Sequence, residues 1–192
     1  MRVSSLVLLL APLVSCHRPV PFSVPPGGSP YPLAVGARWS YRSPLGLKVV
    51  RECRRTTVRD GQTYFEMTYT LPLWGEEPLL LRPTAEGVMA CRGTREQVIL
   101  RFPMREGDQW GIDFPGEDVA ECTVEGIEEL EILGRRMPCR RLRAIRTSRG
   151  GIQKAVDREW YAEGLGLVRM RVTHLGLTQD FRLESYENGS SS

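Results

Sequence analysis

The side chains best able to carry out chemistry in this chain are its cysteines and arginines, because histidine is scarce. The chain has 192 residues with five cysteines and only two histidines, His17 and His174. The sequence contains no Gly-x-Ser-x-Gly elbow, His-Glu-x-x-His pair or phosphate-binding loop. His174 ends an alternating strand pattern and is typical of a core or edge residue. We therefore predict a non-enzymatic protein without a cofactor. A hydrolase that uses a pair of carboxylates is the least favoured of the function classes considered.

The composition is that of an ordinary globular domain. Apolar residues make up 41% of the chain and charged residues 26%, which excludes collagen-like, fully disordered and multi-span membrane proteins. The net charge of +3 is too small to indicate nucleic-acid binding, so no nucleic acid is expected as a partner. The length allows one domain or two very small ones.

The first fifteen residues have the pattern of an export signal. Arg2 supplies a positive charge, and residues 3–14 are almost all apolar or small. This apolar stretch is too short to cross a bilayer, which needs about 20 residues, so a cleaved secretory signal fits better than a membrane span.

The signal ends in Leu13-Val14-Ser15-Cys16, which resembles the lipobox of bacterial lipoproteins. The resemblance implies that residues 1–15 are removed and that Cys16 carries the lipid, which with a second acyl group holds a protein stably on a membrane. An ordinary secretory signal with a chance cysteine is the alternative. His17 in place of Asp implies, by the same resemblance, the outer membrane, with the protein facing the periplasm.

Residues 16–30 form a tether between the lipidated cysteine and the folded part. Five prolines and two glycines occur between His17 and Pro30, and such segments are extended and semi-rigid, so this one could hold the domain roughly 40 Å from the lipid. Residues 188–192 are predicted to be a disordered tail. The folded part is therefore residues 31–187.

The folded part is predicted to be a duplication. The segment Tyr31–Trp39 recurs as Phe102–Trp110, and both have the pattern aromatic-Pro-aliphatic-x-x-Gly-x-x-Trp. We interpret this element as a structural corner that ends in a strand. Two shorter echoes follow in the same order, Val50–Cys53 with Val119–Cys122 and Ala85–Val88 with Ala162–Leu165. The pattern predicts two repeat units, 31–101 and 102–187.

Each unit has the pattern of an antiparallel meander. Asp60-Gly61 is a preferred centre for a two-residue hairpin, and Phe65, Met67 and Tyr69 then alternate with polar residues. We predict an all-β, mainly antiparallel fold, a curved open sheet or partial barrel of about 10–12 strands built from two sequence-repeated meander units. Residues 117–133 fit a helix or a strand, and we favour a strand by comparison with the first unit.

The repeated element and the segment Trp160–Val168 together resemble a group of uncharacterised bacterial lipoproteins, in which a Trp-Tyr-Ala-x-Gly-x-Gly-x-Val motif closes a duplicated domain. The resemblance covers most of residues 31–186. It implies a fold similar in outline to the curved sheets of LolA and LolB, which hold acyl chains on a concave face. The similarity to LolA and LolB is an analogy of fold alone. The chain departs from the group in having four cysteines in its folded part.

Those four cysteines are Cys53, Cys91, Cys122 and Cys139. Two disulfides are the expectation for an exported chain, and three pairings are open. A turn near residues 134–136 would place Cys139 opposite residue 131, which disfavours pairing of Cys122 with Cys139 across neighbouring strands. Zinc is the rival interpretation, but the cysteines lack zinc-ligand spacing and no histidine accompanies them, so no metal is predicted.

A run of arginines in the second unit has two interpretations. It is either a solvated pair of strands or a surface that contacts the phosphates of anionic lipid head groups or lipopolysaccharide, which guanidinium groups bind as forks. The run consists of Arg135, Arg136, Arg140, Arg141, Arg143, Arg146 and Arg149.

We therefore predict a lipid-anchored, non-enzymatic protein of the cell envelope that binds a lipid, another apolar ligand or a partner segment on a concave β face. The alternative is a structural or interaction lipoprotein with a filled core that acts through a sheet edge or the arginine-rich surface. The expected partners are the membrane, through the anchor, and a lipid or protein of the envelope; the oligomeric state stays open. The residues expected to line the concave face, or else simply to form the core, are Trp39, Tyr41, Phe65, Met67, Tyr69, Trp110, Trp160, Val168, Met170 and Val172.

Overall fold

The structure is a computed structural model that describes residues 31–71, 75–114, 118–174 and 176–189. The predicted signal peptide, the lipidation of Cys16, the tether and the last three residues of the tail lie outside the described residues. Within the described residues, no helix is long and apolar enough to span a membrane.

In the described part of the chain, twelve strands form one antiparallel sheet. Their bounds are β1 Arg38–Arg42, β2 Lys48–Arg59, β3 Gln62–Leu71, β4 Gly75–Thr84, β5 Gly87–Arg92, β6 Arg95–Arg101, β7 Gln109–Ile112, β8 Val119–Ile132, β9 Arg135–Thr147, β10 Gln153–Ala162, β11 Gly166–His174 and β12 Leu177–Glu187. The sheet order is β6-β5-β4-β3-β2-β1-β12-β11-β10-β9-β8-β7. The predicted all-β fold of two meander units is therefore confirmed, and the sheet curls into a nearly closed barrel.

The two units contain the same hydrogen bonds 71 positions apart. Gly36 N donates to Cys53 O over 2.7 Å, and Gly107 N donates to Val124 O over 3.0 Å. In the same way Trp39 lies opposite Arg51, and Trp110 lies opposite Cys122. The structure thus corrects the second sequence echo by two residues, because Cys53 corresponds to Val124 rather than to Cys122.

The turn chemistry explains why the meanders form in this register. Asp60 and Gly61 both have positive φ, 48° and 72°, as a tight two-residue hairpin turn requires, and they join Arg59 to Gln62 as predicted. Residues 119–132 form a strand, which confirms the prediction of a strand rather than a helix in this segment. Their strand bulges between Val124 and Gly126.

The duplication makes one seam of the barrel different from the other. Between the units, β1 and β12 form a continuous ladder. The corresponding pair, β7 and β6, lies at the two outer ends of the sheet order. We call this pair the β6–β7 seam. The side-chain amide of Gln97 bridges it by donating to the carbonyl of Asp113 and accepting the Asp113 N–H over 2.6 Å. One side chain here takes the place of a strand ladder.

Candidate functional site

The two faces of the sheet differ in chemistry. We call the side that carries Tyr41, Met67 and Val124 the inner face, because these side chains are at most 1% exposed and lie at the centre of the core. Directly opposed residues in antiparallel strands point to the same side. The strand registers therefore assign each predicted site residue to a face.

Most of the predicted ligand-face residues lie on the inner face. By register these are Trp39, Tyr41, Phe65, Met67, Tyr69, Trp110, Met170 and Val172. Val168 lies beside a bulge and is fully buried. Trp39, Tyr41, Met67, Trp110 and Val168 belong to the buried core, and Phe65, Tyr69 and Met170 are partly buried against it. Val172 is partly exposed.

Trp160 lies on the opposite side from the other members of that set. It is opposite Arg141 on β9 and Arg169 on β11, and the Arg169 guanidinium stacks over its ring at 4.5 Å. Its Nε1 donates to Glu128 over 2.9 Å. The expectation that Trp160 lines the concave face is therefore wrong, because strand alternation places its neighbours Glu159 and Tyr161 inside instead.

A buried polar cluster lies within the inner face. The Arg51 guanidinium donates to the hydroxyls of Tyr31 and Tyr69, the latter over 2.5 Å, and it lies 4.6 Å from the centre of the Tyr69 ring. Arg51 is only 5% exposed, and its Nε has no hydrogen-bond partner. Arg51 was not among the predicted site residues, although a single arginine in the apolar alternation of β2 was a visible signal.

A buried carboxylate accompanies Arg51. Burial raises the pKa of Glu159, while a hydrogen bond from Tyr161 and the charge of Arg51 lower it. Burial likewise raises the pKa of Tyr31 and Tyr161 above the usual tyrosine range. The cluster places one cation and one carboxylate among phenol groups. The hydrogen bonds between them fix the orientation of the tyrosine side chains in the core.

The outer face of β8 to β12 carries a broad basic surface around Trp160, which we call the arginine face. Its guanidinium groups belong to Arg141, Arg143, Arg158, Arg169, Arg171 and Arg182, and its carboxylates to Glu125, Glu128 and Asp180. Six cations therefore share three anions. A depression of about 320 Å³ lies among these side chains over Trp160.

Two of the three carboxylates of the arginine face are shared among arginines. Glu125 lies 2.9 Å from Arg141 and 3.1 Å from Arg158. Asp180 lies 2.5 Å from Arg169 and 3.1 Å from Arg171. The Arg169 hydrogen bond is the main reason why the pKa of Asp180 is lowered. Because Glu125 and Asp180 each serve more than one arginine, the surface keeps uncompensated positive charge.

The structure divides the predicted arginine run among four places. Arg141 and Arg143 belong to the arginine face, while register places Arg140 and Arg146 on the inner side. Arg135 and Arg136 follow the turn between β8 and β9, and Arg149 bonds Asp113 over 2.6 Å in the loop after β9. The run therefore does not form the single contact surface that one of its two interpretations requires, because neighbours along a strand point to opposite sides.

The β11 and β12 contribution to the arginine face was not predicted from the sequence. Arg169 and Arg171 alternate with apolar residues, a pattern that indicates a strand but not which arginines lie beside it. Their position beside Arg141 and Arg158 depends on the order of β9, β10 and β11 in the sheet.

All four described cysteines are free and buried. The turn between β8 and β9 is at Leu133-Gly134, so Cys139 lies opposite Glu128 rather than residue 131. Glu128 is six positions along β8 from Cys122, on the order of 20 Å, so these two thiols are too far apart to join. Burial raises the pKa of Cys53 to about 11 and of Cys122 to about 12. The two predicted disulfides stay a prediction.

A second cavity lies where the connection from β6 to β7 crosses the inner side of β8 and β9. It has a volume of about 320 Å³ and is lined mainly by Phe102, Met104, Ile127, Pro138 and Tyr161. The cavity is mostly apolar and has one cation, Arg140, at its edge.

Three solved structures are similar to this chain. An exported protein with YmcC-like fold from Bacteroides fragilis is 15% identical, with a TM-score of 0.50 over 82% of this chain and 98% of that one. A lipoprotein from Parabacteroides distasonis is 12% identical, with a TM-score of 0.45 over 82% and 98%. The lipoprotein YmcC from Escherichia coli is 13% identical, with a TM-score of 0.38 over 79% and 85%.

The first of these similarities shows the fold alone: the chain has a YmcC-like fold. No family model matches the chain, and no curated protein matches it. The similarity to LolA and LolB stays a prediction.

Proposed function

We propose that this protein is a lipid-anchored, non-enzymatic protein of the bacterial cell envelope that binds phosphate groups of an anionic partner on its arginine face. The segment Leu13–Cys16 supports the anchor, and two of the three similar structures are of proteins named lipoproteins. His17 after the cysteine supports placement in the outer membrane, facing the periplasm. The observation that carries the binding function is six guanidinium groups sharing three carboxylates around Trp160.

The chemistry of the arginine face fits a phosphate group. Guanidinium groups present paired N–H donors that match phosphate oxygens. Arg141, Arg158 and Arg171 are each about 40% exposed at the side chain, so their free donors are open to solvent. Trp160, 3% exposed, forms the floor beneath them and holds Arg169 by stacking.

Binding of an apolar ligand in the barrel is the second candidate, and the packing of the inner face supports it less. Tyr41 and Met67 are fully buried by protein side chains. A ligand there would have to displace them, and interiors at native packing density do not yield such space cheaply.

Titration of the full chain in neutral detergent with glycerol phosphate, followed by tryptophan emission, tests phosphate binding. We expect the double variant Arg158→Gln with Arg171→Gln to bind about 30-fold more weakly, because each arginine near an anionic surface contributes about 1 kcal/mol. Arg55→Gln is the matched control, since Arg55 forms an exposed outer-face ion pair with Glu66 over 3.0 Å, away from Trp160. No binding by the wild-type chain, or equal loss in the control, would refute the proposal.

The anchor has its own test. Metabolic labelling with a fatty-acid analogue should label the wild-type chain and not Cys16→Ser. Absence of label on the wild-type chain would remove the anchor and leave the phosphate titration unaffected.

A further inference from the structure

The outer side of the sheet carries cations at directly opposed positions on neighbouring strands. The registers pair Trp160 with Arg141 on one side and with Arg169 on the other, and the same line continues across β12, β1 and β2. We call this line the long row, and its members in order are Arg141, Trp160, Arg169, Arg182, Arg42 and Lys48. Five cations therefore lie in one line across six adjacent strands, and none of the six positions holds an acid.

A shorter row runs beside the long row, two residues along the strands. In this short row Arg158 lies opposite Arg143 on β9 and opposite Arg171 on β11. Together the two rows contain five directly opposed pairs of cations, namely Arg143–Arg158, Arg158–Arg171, Arg169–Arg182, Arg182–Arg42 and Arg42–Lys48. Like charges at directly opposed positions destabilise a sheet. The arrangement therefore indicates an anionic partner that compensates this cost.

The acids beside the two rows do not neutralise them. Arg42 lies 2.7 Å from Glu184, and its hydrogen bond, together with the charge of Lys48, lowers the pKa of that carboxyl. The arginine face has six cations and three acids, so adding these two cations and one acid leaves four positive charges in excess. The side chains of Arg42 and Arg182 are 50% and 68% exposed, so their remaining donors are accessible.

The long row runs around the barrel rather than along it. Neighbouring strands lie about 4.8 Å apart, so the row spans about 24 Å from β9 to β2. It crosses six of the twelve described strands of a nearly closed barrel, and the surface beneath it is therefore convex. A flat bilayer or a single phosphate group would contact only part of such a row, whereas a flexible chain can follow its whole length.

We propose that the two rows bind a flexible linear chain of repeated phosphate groups that lies across the strands. The inference rests on the proposed phosphate binding by the arginine face and specifies the kind of partner. Guanidinium groups match phosphate oxygens with paired donors, and successive phosphates of one chain would contact successive cations. Because the phosphates are linked, each contact after the first is intramolecular, which raises the affinity of the whole chain.

Phosphate chains of different lengths test the inference. The full-length protein in neutral detergent is titrated by calorimetry with orthophosphate, triphosphate and long-chain inorganic polyphosphate, and the affinities are compared per phosphate. We expect long polyphosphate to bind at least about 10-fold more tightly per phosphate than triphosphate, because linkage raises the effective concentration of each further phosphate.

A variant at the far end of the long row separates a chain from a single phosphate. Arg42→Gln with Lys48→Gln removes two cations that lie outside the arginine face, so triphosphate binding should not change. Long polyphosphate should bind about 10-fold more weakly, since each cation contributes about fivefold and Glu184 partly neutralises Arg42. The salt dependence of long-chain binding should also become shallower, because fewer phosphates are neutralised.

The matched control removes the same charge elsewhere on the sheet. Arg55→Gln with Arg95→Gln changes two exposed arginines on β2 and β6 that lie outside both rows. This control should alter the affinity for neither triphosphate nor long polyphosphate.

Each other outcome overturns the inference. Equal affinity per phosphate at every length, or unchanged long-chain binding by Arg42→Gln with Lys48→Gln, identifies single phosphates as the ligand and leaves the proposed function standing. Equal loss in the control shows attraction by net charge alone. Displacement of long polyphosphate by phosphatidylglycerol vesicles at equal exposed phosphate identifies a lipid surface as the partner. Absence of binding by every probe removes the proposed function together with the inference.

Discussion

Substitution of Arg51 by methionine should destabilise the fold strongly, although it removes only one side chain from the core. The change deletes two hydrogen bonds to phenol hydroxyls, at about 1 kcal/mol each. It also removes a cation whose charge lowers the pKa of Glu159, and the loss of compensating charge around this buried carboxylate costs about a further 1–3 kcal/mol. The expected loss of unfolding free energy is therefore about 3–5 kcal/mol, the sum of these contributions.

Urea unfolding of the full chain, followed by circular dichroism, measures this loss. The double variant Arg51→Met with Glu159→Gln should recover about 1–3 kcal/mol, because the stranded carboxylate is gone. Arg55→Met, at a site whose side chain is 72% exposed, should change stability by no more than about 0.5 kcal/mol.

The same variant has a characteristic pH dependence. Burial raises the pKa of Glu159 above its ordinary value of 4.5. Protonated Glu159 therefore stabilises the folded state fully below pH 4.5. This stabilisation is lost as the pH rises through the raised pKa. The cost of Arg51→Met should therefore shrink below pH 4.5. A cost under about 1 kcal/mol at neutral pH, or no recovery in the double variant, would refute the account of the buried cluster.

Three further predictions concern the backbone, the seam and the arginine face. Gly87→Ala should prevent stable folding at physiological temperature, because its Cβ would lie 1.9 Å from the carbonyl oxygen of Leu100; circular dichroism would detect this. Gln97→Leu should remove both bonds to Asp113, so hydrogen exchange should quicken at the β6–β7 seam while the β1–β12 ladder keeps its protection. Asp180→Asn should flatten the acid side of the stability profile, because a lowered pKa contributes stability above the ordinary value of 3.8 that is lost as the pH falls through the lowered one. Unchanged exchange at the seam, or an unchanged acid profile, would contradict the last two.

Local patterns in the sequence predicted the fold well because its turns depend on short-range chemistry. Asp60-Gly61 specifies a hairpin by its positive φ values, and alternation after it assigns Phe65 and Met67 to one face. Such local patterns do not predict the order of the strands in the sheet. Pairing of β1 with β12 joins residues 140 or more positions apart, and no local signal encodes it.

The candidate site was harder to predict for the same reason. Trp160 was assigned to the concave ligand face by residue type, whereas the strand register places it on the opposite side, where it is buried beneath arginines. Arg141 and Arg169 come together only because β10 lies between their strands. Arg51 was overlooked because a buried arginine is rare and becomes interpretable only when the tyrosines around it are known.

The ladder between β1 and β12 has a consequence for synthesis of the chain. Trp39 and Tyr41 on β1 donate to carbonyls of residues 165 and 167. The first strand to leave the ribosome can pair with β2 early, but the partners on its other edge are present only when the last strands emerge. Until then its edge would be open to pairing with other chains. A protein of this architecture therefore gains from export in an unfolded state, with assembly delayed until its full length has crossed the membrane.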